Sequence, residues 1–216
     1  MDYKETYNKD YFTGKKSLLY KFGYGSFTEQ FFENIFNSFK KYIHGIESGK
    51  MLDVGCAFGL MLEKFPKSFD KFGIDVSEYA IQVAKEKFPD DKFFACEAEK
   101  DLPFPEDYFD IVLCNDVFEH LESPGKAIKN IHRVMKKGGL LLATTPNLNL
   151  FRKTFLKSID KNEYHISMYR HRDMLGELEK AGFKIVDHWT SITTFRLFFL
   201  KFKSNIGTES FFVCKK

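Results

Sequence analysis

Met51-Leu52-Asp53-Val54-Gly55-Cys56-Ala57-Phe58-Gly59, followed by Lys71-Phe72-Gly73-Ile74-Asp75, decides how this chain is read. A short apolar run ends in a turn of small residues, and a second run closes on an acidic residue sixteen positions after Gly59. An α/β sheet builds a nucleoside pocket in this way. Glycines let the backbone pass close to a ligand, and the carboxylate accepts hydrogen bonds from ribose hydroxyls. A dinucleotide site needs Gly-x-Gly-x-x-Gly, with the pyrophosphate resting on a helix N-terminus. Here Ala57 stands between Gly55 and Gly59, and Asp53 lies two residues ahead of the first glycine. Taken alone, the stretch also reads as a loose glycine turn after a strand.

Outward from that turn, strands and helices alternate. Lys50–Val54, Lys71–Asp75, Lys92–Ala95, Phe109–Asn115, Leu140–Thr144 and Phe183–Thr190 have strand length and apolar content, and Ser210–Lys215 closes the set. Helices are expected over Leu60–Phe65, over Ser77–Phe88 with Ser77 as N-cap, over Pro124–Met135, and over Tyr169–Ala181 ahead of Gly182. Before the first strand, Phe27, Phe31, Phe32, Ile35, Phe36 and Phe39 recur at helical spacing between Ser26 and Tyr42. The expected fold is α/β: a Rossmann-like, seven-stranded, mainly parallel sheet with helices on both faces and a closing antiparallel hairpin.

At 216 residues the chain suits one domain with a large core and is too short for two full ones. Residues 1–27 read as an aromatic arm or lid carrying Tyr3, Tyr7, Tyr11, Phe12, Tyr20 and Tyr24. Residues 148–167 read as a basic, aromatic cap over the substrate site. A net charge of +3 gives no ground to expect nucleic acid. Cys56, Cys96, Cys114 and Cys214 are scattered, which fits reduced thiols in a cytoplasmic protein, and no compact metal-ligand spacing is visible. The start Met-Asp-Tyr-Lys-Glu has no signal-peptide pattern, and no apolar run is long enough to span a bilayer. Phe195–Lys203, with Arg196, Lys201 and Lys203 among apolar residues, is a candidate for peripheral membrane contact, or packs on its own domain.

Further motifs follow in order: Glu97-Ala98-Glu99, Asp101-Leu102-Pro103-Phe104-Pro105, Phe109-Asp110, Glu119-His120-Leu121 and Lys136-Lys137-Gly138-Gly139. With Asp53-x-Gly55-x-Ala57-x-Gly59 they resemble the class I S-adenosylmethionine-dependent methyltransferases, small-molecule enzymes of the ubiquinone-biosynthesis type among them. The resemblance runs from about residue 28 to the C-terminus. It implies S-adenosyl-L-methionine as cofactor. Gly55, Cys56, Ala57 and Gly59 would cradle its methionine end, with Asp53 orienting that turn. Asp75 and Val76 would take the ribose, and Glu97, Ala98 and Glu99 the adenine, Glu97 standing where the pattern usually has Asp. Asn115 and Asp116 would close the crevice from the fourth strand.

A sulfonium carries its own activation, so the protein must align the acceptor, exclude water and take up a proton when the acceptor is a hydroxyl. His165 in the cap and His120 after strand four are the candidate bases. Each also reads blandly, His120 as a pocket wall and His165 as a loop residue holding the cap. Arg152, Lys153 and Lys157 would draw an anionic substrate group. No metal is expected. The expected reaction is O-methylation of a small-molecule or lipid- or sugar-linked acceptor. The other readings are a cofactor-binding module without catalysis and a nucleotide-dependent dehydrogenase, the latter lacking its glycine signature.

Overall fold

The computed structural model describes residues 3–17, 24–194 and 198–216. Five strands pair in parallel: β1 (Gly49–Val54), β2 (Phe69–Asp75), β3 (Lys92–Ala95), β4 (Phe109–Asn115) and β5 (Met135–Pro146). β6 (Lys184–Thr194), β7 (Phe198–Phe202) and β8 (Glu209–Lys215) complete one sheet in the order β3-β2-β1-β4-β5-β8-β6-β7. β8 is antiparallel to both β5 and β6, and β7 is antiparallel to β6. The chain leaves β1 for β2 on one side and later crosses to β4 on the other. The carboxyl ends of β1 and β4 therefore flank a topological switch point, where open α/β sheets take their ligands.

The central strands bury apolar side chains on both faces, because both faces are covered. In β4, Ile111 and Leu113 join a core with Phe31, Ile35 and Phe39, while Val112 and Cys114 join a core with Ile128, Ile131 and Met174. The arm contributes two single turns, α1 (Tyr3–Thr6) and α2 (Lys9–Phe12). α3 (Tyr24–Ile43) and α4 (Glu78–Lys87) cover the first face, and α5 (Pro124–Val134) and α7 (His171–Lys180) the second. In α3 the buried Phe31, Ile35 and Phe39 fall four residues apart, one stripe of an amphipathic helix. Ser77 caps α4 by accepting from the Ala80 N–H at 3.2 Å.

Several sequence expectations are corrected. The sheet has eight strands, because Phe198–Phe202 forms an edge strand on β6 and most of the Phe195–Lys203 stretch is thereby held within the domain. Phe195 and Arg196 lie outside the described residues, as does Tyr20 of the arm. Leu60–Phe65 forms only a 3-10 turn at Leu62–Lys64, too short after the glycine loop to nucleate a helix. Lys136-Lys137-Gly138-Gly139 is not a separate turn. β5 already begins at Met135, opposite Phe109, and a register shift absorbs the glycines before Leu140 pairs with Ile111. Within the cap, where no period is visible, a π-helical turn at Arg152–Leu156 runs into α6 (Lys157–Asn162).

Candidate active site

A crevice of about 1120 Å³, including the space at its mouth, opens at the carboxyl ends of β1, β2 and β4. Its wall includes every sequence-derived cofactor candidate except Gly59: Asp53, Gly55, Cys56, Ala57, Asp75, Val76, Glu97, Ala98, Glu99, Asn115 and Asp116. The loop after β1 is anchored where the Gly55 and Cys56 N–H groups donate to the Ile74 carbonyl at 2.8 and 3.0 Å. Gly55 has φ +74°, and a Cβ there would stand 2.3 Å from Val117 Cγ2, so only glycine fits. Gly59 works from behind the wall: its φ is +75°, and a Cβ would meet the Phe93 ring at 2.9 Å. It is a packing glycine, which its place in the motif does not reveal.

Asp75 shapes the loop as well as facing the crevice. Its Oδ2 accepts from the Ala57 N–H at 2.9 Å and its Oδ1 from the Ser77 N–H at 2.8 Å. A carboxylate oxygen has two acceptor positions, so these bonds leave capacity for a diol. Burial raises the Asp75 pKa, and the backbone donors pull against that shift. Burial, with Asp75 close by, also pushes Asp53 well above the usual carboxylate range. Glu97 pairs with Lys100 at 2.8 Å. Glu99 is committed elsewhere: it accepts from Tyr3 Oη at 2.6 Å and from the Ser123 N–H. It bolts the arm to the start of α5 rather than offering a free carboxylate. Cys56 and Cys114 are buried and unbridged, with thiol pKa values pushed well up by burial.

The arm lies over this crevice, and Tyr3, Tyr7, Tyr11, Phe12 and Tyr24 line it. Tyr7 Oη meets His120 Nδ1 at 2.9 Å, and Tyr11 Oη donates to Glu163 Oε2 at 3.2 Å. Ser17 Oγ also donates to Glu163, at 2.8 and 3.0 Å. Arm and cap are thus tied together through one buried carboxylate of the cap. The cap is tied to the sheet in turn, because the Ile166 and Ser167 N–H groups donate to the Glu119 carbonyl at 2.8 and 2.9 Å.

The two candidate histidines come together, with ring centroids 4.9 Å apart. His120 lines the crevice. Burial, then the neighbouring His165, lowers its pKa to about 3, so the ring is neutral. Tyr7 holds its Nδ1, and the Tyr164 carbonyl accepts from the ring. His165 is not on the crevice wall and stands one ring behind it. Its Nδ1 meets Asp160 Oδ1 at 2.9 Å, and its side chain is 7 % exposed. Asp160 is clamped by Arg152, whose Nε and Nη2 donate to it at 2.9 and 2.6 Å. Burial raises Asp160, but the bonds from His165 and Arg152 outweigh it and hold the carboxyl below its ordinary pKa.

This clamp corrects the expectation that Arg152 attracts an anionic substrate group. Arg152 is buried and spent on Asp160 and on the Thr208 carbonyl. Lys153 and Lys157 are exposed. Behind the histidines the wall is acidic. Glu119 Oε2 accepts from Thr145 Oγ1 at 3.0 Å, and Asp116 Oδ1 accepts from Thr144 Oγ1 at 2.9 Å. Burial, then Asp116, drives Glu119 and Glu209 well above the usual range. Glu119 Oε1 is buried without a hydrogen-bond partner, and Glu119, His120 and His165 bring three ligand atoms within 4.8 Å of one another. The absence of any compact ligand set, expected from sequence, is therefore overturned. Sequence reasoning also missed Asp160, Glu163 and Glu209, and named Tyr7 and Arg152 without their partners His120 and Asp160. The available signals were the Tyr3/Tyr7/Tyr11 spacing and two acids inside an otherwise basic cap.

Residues 52–143 match the family described as a methyltransferase domain. That match, with the relatives and solved structures below, supports a methyltransferase domain of the class I S-adenosylmethionine-dependent type. The cofactor of that class is S-adenosyl-L-methionine, and the loop, acid and switch-point crevice above suit a nucleoside sulfonium. The ubiquinone biosynthesis O-methyltransferase of Coxiella burnetii is 35% identical over 118 residues, covering 53% of this chain and 50% of that protein. The chain thus spans about half the length of the first curated relatives it matches. The protein of the same name from Acinetobacter baylyi is 26% identical over 178 residues, covering 73% of this chain and 74% of that one. In fold, the chain resembles a S-adenosylmethionine-dependent methyltransferase from Archaeoglobus fulgidus, with TM-score 0.67, 20% identity, and coverage of 88% and 98%. Among the described residues no helix is long and apolar enough to cross a membrane.

Proposed function

We propose that this methyltransferase methylates a hydroxyl of a small-molecule or carrier-linked acceptor, with the His120–His165 pair as the proton acceptor. The observation that carries this reading is the Arg152–Asp160–His165 chain, in which a clamped carboxylate fixes Nδ1 of His165 and points Nε2 away from it. Bound S-adenosylmethionine supplies an activated methyl group, whose carbon–sulfur bond breaks as the carbon–oxygen bond forms. The residues of this chain do the rest. Gly55–Ala57 and Asp75 hold the cofactor, the arm tyrosines exclude water, and the paired rings of His120 on the wall and His165 behind it take up the hydroxyl proton. His120, neutral and held on both sides, orients the acceptor from the wall. The O-methyltransferase names of the curated relatives support hydroxyl chemistry.

The buried, unpartnered Glu119 Oε1 favours a second reading. A divalent cation held by Glu119, His120 and His165 would then acidify the acceptor hydroxyl. The test is transfer of labelled methyl from S-adenosylmethionine to a panel of phenols, catechols and polyols, with and without chelator. Transfer that survives chelation and collapses in His165→Ala supports the base. Loss on chelation, restored by magnesium or manganese, supports the cation. Cofactor binding without transfer to any acceptor would leave a binding module.

A further inference from the structure

The outer surface of the cap does not behave like a soluble loop. Leu150 is 81 % exposed and Phe155 69 %, and the Phe151 and Phe155 rings sit 5.0 Å apart with Phe151 also exposed. A second segment joins them. Asn149 Nδ2 donates to the Ile206 and Gly207 carbonyls at 2.8 Å, Asn147 Nδ2 donates to the Gly207 carbonyl at 2.7 Å, and Arg152 Nη1 reaches the Thr208 carbonyl. These bonds lash the start of the cap to the 205–208 turn and set Ile206, 62 % exposed, beside it. Four large apolar residues therefore share one region of surface, held there by a set of side-chain-to-backbone bonds, two of them buried.

Charge is sorted across the same segment. The acids of residues 148–163 are Asp160 and Glu163, both buried and turned inward, one to Arg152 and His165, the other to Tyr11 and Ser17. The bases left outside are Lys153, Lys157 and Lys161, all exposed. An apolar patch whose exposed charged neighbours within residues 148–163 are lysines matches an anionic bilayer surface. Aromatic and aliphatic tips enter the acyl boundary, while lysine stems lie along it and their ammonium groups meet lipid phosphates. A protein partner of ordinary composition would ask for mixed charge at the rim.

We propose that the cap face of Leu150, Phe151, Phe155 and Ile206, with Lys153 and Lys157, docks this protein on anionic membrane surfaces. The cap follows directly from the carboxyl end of β5, the same end of the sheet at which the crevice opens. Docking therefore brings the crevice mouth to the bilayer, where a lipid-borne acceptor would be presented. Docking does not depend on methyl transfer, because vesicle binding is read without turnover.

The test is co-sedimentation of the full chain with vesicles of phosphatidylcholine alone and of phosphatidylcholine with about 30% phosphatidylglycerol. Binding to the anionic vesicles, weakened by salt and by at least about tenfold in a Leu150→Ser/Phe155→Ser double variant, is expected. Lys153→Glu/Lys157→Glu should abolish the preference for phosphatidylglycerol. Calorimetric binding of S-adenosylhomocysteine should be unchanged in both variants, which shows that they are folded. Equal binding by wild type and folded variants would overturn the proposal, as would no sedimentation of the wild type with either vesicle. A dimer in sedimentation velocity that Phe155→Ser converts to monomer would also overturn it, since the face would then meet a second copy.

Discussion

The crevice has two halves made in different ways. The cofactor half comes from consecutive strand ends, where Gly55, Ala57, Asp75 and Ala98 are positioned by the parallel register of β1, β2 and β3 and by local backbone bonds. The acceptor half comes from segments far apart in sequence, joined by side chains. Tyr11 meets Glu163 across 152 positions, Ser17 meets Glu163 across 146, and Tyr7 meets His120 across 113. A half built from local geometry tolerates little change in backbone. A half built from side-chain pairs can be rewired pair by pair, so acceptor choice can vary while the cofactor site stays fixed.

The sharpest way to separate the halves is His165→Ala. Turnover should fall by roughly 10²–10⁴-fold, the usual share of a general base, while S-adenosylhomocysteine affinity stays within about twofold. Equal loss of both would break the comparison. Gly55→Val attacks the other half. With a strained φ and Val117 in the way, it should destabilise the domain by about 2 kcal/mol or more and remove cofactor binding, as thermal unfolding and calorimetry would show. Glu163→Gln is milder. It keeps the shape but weakens acceptance from Tyr11 and Ser17, so the arm should become a faster protease target at a cost of about 1 kcal/mol. If cleavage of the arm stays as slow as in wild type, Glu163 is not the tie.

The smallest effect is on acid stability. His120 and His171 have folded pKa values of about 3 and about 4, each lowered first by burial and then by a neighbouring histidine. The unfolded chain binds protons at about 6.5, so it gains them before the folded one does. The stability these two histidines contribute is full above that pH and declines as pH falls toward 4 and 3. Between about pH 7 and pH 5 the melting temperature of the wild type should therefore fall relative to that of His171→Phe, in which one of the two histidine contributions is gone. A difference between the two proteins that stays constant from about pH 7 to pH 5 would contradict this.

The cofactor half was legible in the sequence because its signals are local: glycines at fixed spacing, an acid at a strand end, apolar runs of strand length. The helix at Ser77 and the α5 start at Pro124 were legible for the same reason. β7 was not, since Phe198–Phe202 carries an interrupted pattern and earns its place only by pairing with β6. Both histidines were nameable from sequence, but their partners were not. Asp160 lies five residues before His165 and Arg152 eight before Asp160, and only the cap's two helical turns fold them onto one another. Glu99 and Gly59 show the converse, where motif membership suggested ligand contact and the structure gives one to the arm and the other to packing.

The central claim is that the β1–β2–β4 crevice holds S-adenosylmethionine, and calorimetric titration of the full chain with S-adenosylhomocysteine tests it most directly. Saturable binding at one site per chain, with no heat from NAD, is the result expected here. Binding of NAD with no response to S-adenosylhomocysteine would contradict it.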